Sequence, residues 1–249
     1  MHRFEGRVAL ITGAASGIGQ ATAVRLASEG ATIAALDRDE TGLATTAELV
    51  AATGATLQLV ACDIGDEQAV GRAVANVVDA HQRIDTLINL AGILRSCHSH
   101  EVTLEEWNEV ITVNLTGTFL MTREALPHLL ERRGNIVMAA STSALAGHPW
   151  MLPYAASKGA ILAMTHTLAV EYARRGLRVN AVAPGGITTP MAANVRLPED
   201  ADFSLLDRIS PVDEFRGPET VAATIAFLAS DDAAHVNGEV VRVDGATLA

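Results

Sequence analysis

The run Arg7-Val8-Ala9-Leu10-Ile11, followed at once by Thr12-Gly13-Ala14-Ala15-Ser16-Gly17-Ile18-Gly19, limits what this chain can become more than any other stretch. A short apolar run of this kind reads as a buried strand. The residues after it, with Ala21, Val24, Leu26 and Ala27 at helical spacing and Gly30 placed as a stop, read as a helix. Strand, glycine-rich turn and helix in direct succession are the context in which a turn can hold a dinucleotide. Glycines let the backbone turn tightly and come close to a pyrophosphate, whose charge is met by the helix N-terminus. Gly13, Ser16, Gly17, Ile18 and Gly19 are the candidate phosphate-binding residues.

The next strand, over 32–36, ends in Asp37, eighteen positions after Gly19. A carboxylate near that spacing receives the hydroxyls of an adenosine ribose. It would repel a 2′-phosphate, so NAD is favoured over NADP, although Arg38 directly after it leaves room for NADP. Further alternation follows, with strands over 56–61, 86–88, 135–140, 179–183 and 240–243 separated by helical patterns. Asp63 and Ile64 follow one of those strands and belong on the same edge of the sheet. The pattern predicts one domain over 1–249, a Rossmann-like, doubly wound parallel α/β sheet of about seven strands with helices on both faces. Two helices are expected between Leu104 and Arg132, the second holding Asn114. The segment 188–218 mixes prolines, charges and large apolar residues, and reads as a lid with helical pieces.

Composition agrees. Nearly half of the 249 residues are hydrophobic (49%) and few are aromatic (4%), which suits a sheet buried on both faces. A net charge of −11 argues against nucleic acid or an anionic membrane as partner. The two cysteines make no disulfide framework, so a reducing, cytoplasmic setting is expected, and no His/Cys cluster stands at metal-ligand spacing. The first residues do not read as a signal peptide, and no apolar window is long enough for a membrane span.

Tyr154 and Lys158 stand four positions apart in a helical stretch, which puts them on one face. A cation beside a phenol favours the phenolate and makes the tyrosine usable as an acid or base.

Taken together, Thr12-Gly13-x-x-x-Gly17-x-Gly19, Asp63, Asn89-x-Ala91-Gly92, Asn114, Ser141, Tyr154-x-x-x-Lys158 and Pro184-Gly185-x-Ile187-x-Thr189 occur in one order and spacing. In them the chain resembles the short-chain dehydrogenase/reductase family over nearly its whole length. The resemblance implies hydride transfer between a nicotinamide cofactor and an alcohol or ketone, with Tyr154 as general acid/base. It implies that Lys158 holds the nicotinamide ribose and tunes Tyr154, that Ser141 bonds the substrate oxygen, and that Asn114 extends a proton relay. By the same resemblance Asn89, Ala91 and Gly92 line the cofactor path, largely through backbone, while Pro184, Gly185, Ile187 and Thr189 hold the nicotinamide end. A homotetramer built on the helices around 114–131 and 154–173 is also implied. One departure stands out: where the family usually carries a second asparagine before Ala91, this chain has Leu90.

Substrate residues are expected after Gly92, after Ser141 and in the lid: Leu94, Ser143, His148, Trp150, Leu152, Met191, Val195, Leu197, Phe203 and Leu206. Their apolar mixture suggests a hydrophobic or cyclic secondary alcohol or its ketone. Arg95 and Arg196 suggest instead an acidic substrate. An NADP-dependent 3-oxoacyl-type reductase is the alternative enzyme, and a non-catalytic NAD-binding regulator the alternative of another class.

Overall fold

A computed structural model describes residues 2–212 and 214–249. Strand β1 (Val8–Thr12) is buried along its whole length. Its side chains alternate between the two faces of the sheet, so both faces need cover. Ala9 and Ile11 pack with Leu26, Leu43 and Ile225 on one face. Leu10, between them, packs with Leu36, Met121, Ile136 and Ile161 on the other.

In chain order the elements are α1 (Gly17–Ser28), β2 (Thr32–Asp37), α2 (Glu40–Ala51), β3 (Leu57–Ala61), α3 (Glu67–His81), β4 (Thr86–Asn89), α4 (Leu104–Ile111), α5 (Thr118–Arg132), β5 (Asn135–Ala139), α6 (Leu152–Tyr172), β6 (Arg178–Pro184), α7 (Pro190–Ala193), α8 (Glu219–Ala229) and β7 (Val240–Val243). The strands form one sheet in the order β3-β2-β1-β4-β5-β6-β7. Every neighbouring pair is parallel. This is the doubly wound α/β sheet that the alternation predicts. Strand order reverses between β1 and β4, and there a crevice opens at the carboxyl ends of the strands.

Local chemistry explains where the helices begin. Asp39 caps α2 by accepting from the Gly42 amide, and Asp66 caps α3 by accepting from Gln68 and Ala69. Thr103 and Glu106 form a reciprocal capping box at the start of α4. Pro153 lies in the first turn of α6, where a missing N–H costs no hydrogen bond.

Two expectations need correction. Asn114 does not lie in an α-helix: it sits in a six-residue π turn, Thr112–Gly117, wedged between α4 and α5. The helix carrying Tyr154 starts two residues earlier, at Leu152, and tightens into a 3-10 turn at Ala173–Arg175. In the segment 188–218, α7 and a 3-10 run over Phe203–Ile209 are the helical pieces, and a single parallel bridge joins Ile187 to Arg216. Among the described residues no helix is long and apolar enough to cross a membrane.

Candidate active site

The glycine-rich turn is tied across the sheet. Thr12 Oγ1 accepts from the amides of Leu90 (3.0 Å) and Ala91 (3.1 Å), which fixes the end of β1 against the loop after β4. A Cβ on Gly19 would stand 1.9 Å from the Gly13 carbonyl oxygen, so only glycine fits there. Ser16 precedes α1 but makes no side-chain cap, and the first amides of that helix stay free of side-chain acceptors. Asp37 is held in place: its Oδ2 accepts from the Ala15 amide (3.0 Å) and its Oδ1 from the Asp39 amide (3.1 Å).

These groups surround a cavity of about 250 Å³, lined by Gly13, Ser16, Gly17, Ile18, Gly19, Asp37, Arg38, Asp63, Ile64, Ala91, Gly92 and Thr189. A backbone cradle, a helix N-terminus and a ribose-height carboxylate suit a dinucleotide. Asp63 does not cap α3; its Oδ1 turns back to accept from the Gly65 amide (2.8 Å), and it stays exposed.

A second cavity of about 390 Å³ adjoins the first, and Ile18, Leu90, Gly92, Thr189 and Met191 line both. Its floor holds Ser141, Tyr154, Lys158, Pro184, Gly185 and Ile187. Ser141 stands just beyond the end of β5, and Tyr154 and Lys158 lie on the first turns of α6. The Lys158 Nζ donates to the Ala139 carbonyl (2.8 Å) and stands 5.7 Å from the centre of the Tyr154 ring. Ser141 Oγ accepts from the Ser143 amide (3.1 Å) and shares a hydrogen bond with the Tyr154 hydroxyl. Asn114 braces this group from behind. Its Oδ1 accepts from the Ile93 amide (2.8 Å), while its Nδ2 donates to the Ile93 carbonyl (2.9 Å) and to Ser157 Oγ (3.1 Å). Gly92 is squeezed beside it, since a Cβ there would meet Asn114 Oδ1 at 3.2 Å and Lys158 Nζ at 3.6 Å.

Burial sets the charges of the pair. It pushes the Tyr154 phenol above its ordinary value, and the hydrogen bond with Ser141 pulls partly the other way. It brings the Lys158 ammonium down to about 8. The phenol is therefore protonated at neutral pH, and the lysine sits close to its own titration point.

Some expected site residues lie elsewhere. The Asn89 side chain turns away from both cavities and donates to Thr122 Oγ1 (3.1 Å), leaving Leu90 to face them. Ser143 and Trp150 are buried in the loop before α6 and line neither cavity; Leu152 and Phe203 are exposed. Leu94, His148, Met191, Val195, Leu197 and Leu206 do line the second cavity. Met151, Ile209 and Phe215 join them without a motif to announce them. Of the two arginines considered for an acidic substrate, Arg95 is paired with Glu109 (2.7 Å), and neither lines the cavity.

Comparison with known proteins finds similar chains over nearly the whole length. The family model described as enoyl-(acyl carrier protein) reductase covers residues 13–246. A 3-oxoacyl-[acyl-carrier-protein] reductase of Thermotoga maritima is 42% identical over 244 residues, covering 98% of each chain. The crystal structure of levodione reductase superposes with a TM-score of 0.90 at 36% identity, covering 98% of both chains. A short-chain dehydrogenase from Mycobacterium paratuberculosis, solved bound to NAD, superposes with a TM-score of 0.91 at 30% identity and the same coverage.

Proposed function

Because this chain belongs to the short-chain dehydrogenase/reductase family, oxidoreductases acting on CH–OH groups, we propose that it moves hydride between NAD(H) and an apolar, compact or cyclic secondary alcohol or its ketone. One observation carries the reading: the hydrogen-bonded pair Ser141–Tyr154 lies at the floor of a largely aliphatic cavity that runs into the glycine cradle.

When bound, the nicotinamide supplies the acceptor or donor of the hydride. The chain handles everything else. In reduction, the Tyr154 hydroxyl gives its proton to the carbonyl oxygen as the carbon gains hydride, and the product is a secondary alcohol. In oxidation the same oxygen takes the alcohol proton back, which requires the phenolate. Ser141 Oγ donates to the substrate oxygen and stabilises the negative charge that gathers there. Lys158 holds a positive charge beside the phenol and binds ribose hydroxyls. Asn114 is a positioning residue that fixes the Ile93 backbone and Ser157 around the group. Asp37, Arg38, Asp63 and Ile64 bind the adenosine end, with Asp37 giving the preference for NAD.

A second reading has its own support. Arg38 lines the cofactor cavity beside Asp37, and the Thermotoga maritima relative is named a 3-oxoacyl reductase. That reading is an NADP-dependent reductase of 3-oxoacyl groups. A panel of steroid, alicyclic and 3-hydroxyacyl substrates, each with NAD and NADP, separates the two. Tyr154→Phe should lower turnover at least about a thousandfold while NADH still binds. Retained turnover would remove Tyr154 from the reaction.

We place the protein in the cytoplasm as a homotetramer. Its free cysteines suit the first. Exposed apolar side chains on α5 and α6, Phe119 (47% exposed) and Val170 (81%), suit the second.

A further inference from the structure

The 3-10 run over Phe203–Ile209 is opened by Asp202, whose side chain accepts from the Ser204 amide. With three residues per turn, positions i and i+3 stand in line along such a helix. The sequence follows that period. Phe203, Leu206 and Ile209 make one row, and Ser204 and Asp207 the next, so one side is apolar throughout and its neighbour polar. Leu206 and Ile209 are half-buried and line the second cavity, which turns the apolar row toward the reacting group. Phe203 continues the row outward by one step of roughly 6 Å. It lies past the cavity and is 63% exposed.

Phe215 marks the cavity mouth, because it lines the cavity and is still 59% exposed. The backbone beside it is fixed. The Arg216 amide donates to the Gly186 carbonyl (3.2 Å), and the Arg216 carbonyl accepts from the Thr188 amide (2.8 Å). The ring is therefore carried on a segment tied to the loop that floors the cavity. Neither phenylalanine packs with the two core clusters. Large apolar side chains left in water beside a binding cavity mark surface that a ligand covers. The row runs without a polar break from the cavity wall to Phe203, and that continuity names the occupant.

We propose that Phe203 and Phe215 are specificity-determining residues that take a hydrocarbon extension of the substrate, beyond the compact or cyclic head served by Tyr154 and Ser141. The assignment rests on the secondary alcohol/ketone reading above and narrows it. The preferred substrates carry an apolar tail that leaves the cavity along the lid.

The test uses 4-alkylcyclohexanols with NAD, the alkyl group growing from methyl to hexyl. In the unmodified enzyme kcat/KM should rise roughly two- to fourfold per methylene, so that hexyl exceeds methyl by about thirtyfold or more, chiefly through a lower KM. Phe203→Ser and Phe215→Ser should each cut the hexyl-to-methyl ratio by about fivefold or more. Phe203→Leu, which keeps an apolar side chain in the row, should retain most of the ratio. A ratio of about one in the unmodified enzyme, or a ratio that both serine variants leave intact, overturns the assignment while the alcohol reading stands. So does a change of oligomeric state in Phe203→Ser by light scattering, which would make a second copy of the chain the occupant of the row. Turnover of no member of the series overturns the alcohol reading and the assignment with it.

Discussion

The ammonium of Lys158 donates to the carbonyl of Ala139 at 2.8 Å, two residues before Ser141. The side chain is 4% exposed, and this bond leads it across the base of the site. A cation is thus held at the reacting pair by the end of a strand and by its own helix.

That placement costs stability. Lysine is lowered from 10.5 to about 8 by burial, which corresponds to on the order of 3 kcal/mol against the charged form. The penalty is fully present below pH 8. It shrinks as pH rises toward 10.5, where the unfolded chain also loses the proton. Lys158→Met should therefore abolish turnover yet stabilise the cofactor-free protein at pH 7 by about 1–3 kcal/mol, with the gain fading toward pH 10. Denaturant melts at the two pH values decide it; a destabilised variant refutes the burial argument.

The raised pKa of Tyr154 gives a pH signature. Alcohol oxidation needs the phenolate and should climb with pH well into the alkaline range, whereas ketone reduction needs the phenol and should hold through neutral pH and decline only over that same alkaline range. Initial rates in both directions between about pH 6 and pH 10.5 test this. Parallel profiles in the two directions would contradict a single proton-exchanging group.

Asn114→Ala removes the acceptor of the Ile93 amide and the donor to its carbonyl. Leaving those buried groups unpaired should cost about 1–3 kcal/mol and lower Tm by several degrees. Turnover should drop as well, because Asn114 and Lys158 both stand close to Gly92. Calorimetry with parallel kinetics checks both; an unchanged Tm would mean that the π turn is held by other contacts.

Asp37→Ala should narrow the preference for NAD over NADP, measured as the ratio of kcat/KM values for the two cofactors. It also strips the Ala15 and Asp39 amides of their acceptor, so some affinity for both should go. An unmodified enzyme that already prefers NADP would overturn the assignment of Asp37.

The segment 188–218 is pinned to the loop after β4 by two bonds: Ser96 Oγ to the Arg196 carbonyl (2.5 Å), and His98 Nε2 to Asp200 Oδ1 (2.7 Å). The bond to Asp200 raises the His98 pKa above 6.5. The charged link is complete below that raised pKa and is lost as pH climbs through it. In Asp200→Asn the His98 titration followed by NMR should move down toward the ordinary value. A titration that stays put would show that the link does not form in solution.

Much of this was legible in the chain because it depends on short-range spacing. The glycine turn, Asp37 and the Tyr154–Lys158 pair each follow from what a strand end or one helical turn can place, whereas Ser141 stands out only through the resemblance to the family. Other features depend on facing and on loop conformation. Asn89 is expected along the cofactor path largely through its backbone; alternation along β4 points its side-chain amide at Thr122, and the neighbouring Leu90 takes the wall. Trp150 occupies a left-handed backbone position (φ 63°) that swings it out of the cavity wall its neighbours Met151 and His148 line, and nothing in its spacing signals that. The buried, unpartnered side-chain atoms of Asn89, Asn135, Ser143 and His148 are invisible until burial and partners are known.

The π turn at Thr112–Gly117 has a longer reach than the bonds of Asn114. Each residue of a regular helix carries its side chain round by about 100°, so one additional residue sets the azimuth of everything that follows. Downstream, Met121, Ala125 and Leu129 form the row of α5 that lies fully buried against the sheet. Deleting one residue upstream of Asn114, with every group around the reacting pair retained, would roll that row toward water. The brace behind Tyr154 and Lys158 and the phasing of a whole core layer therefore depend on the same six residues.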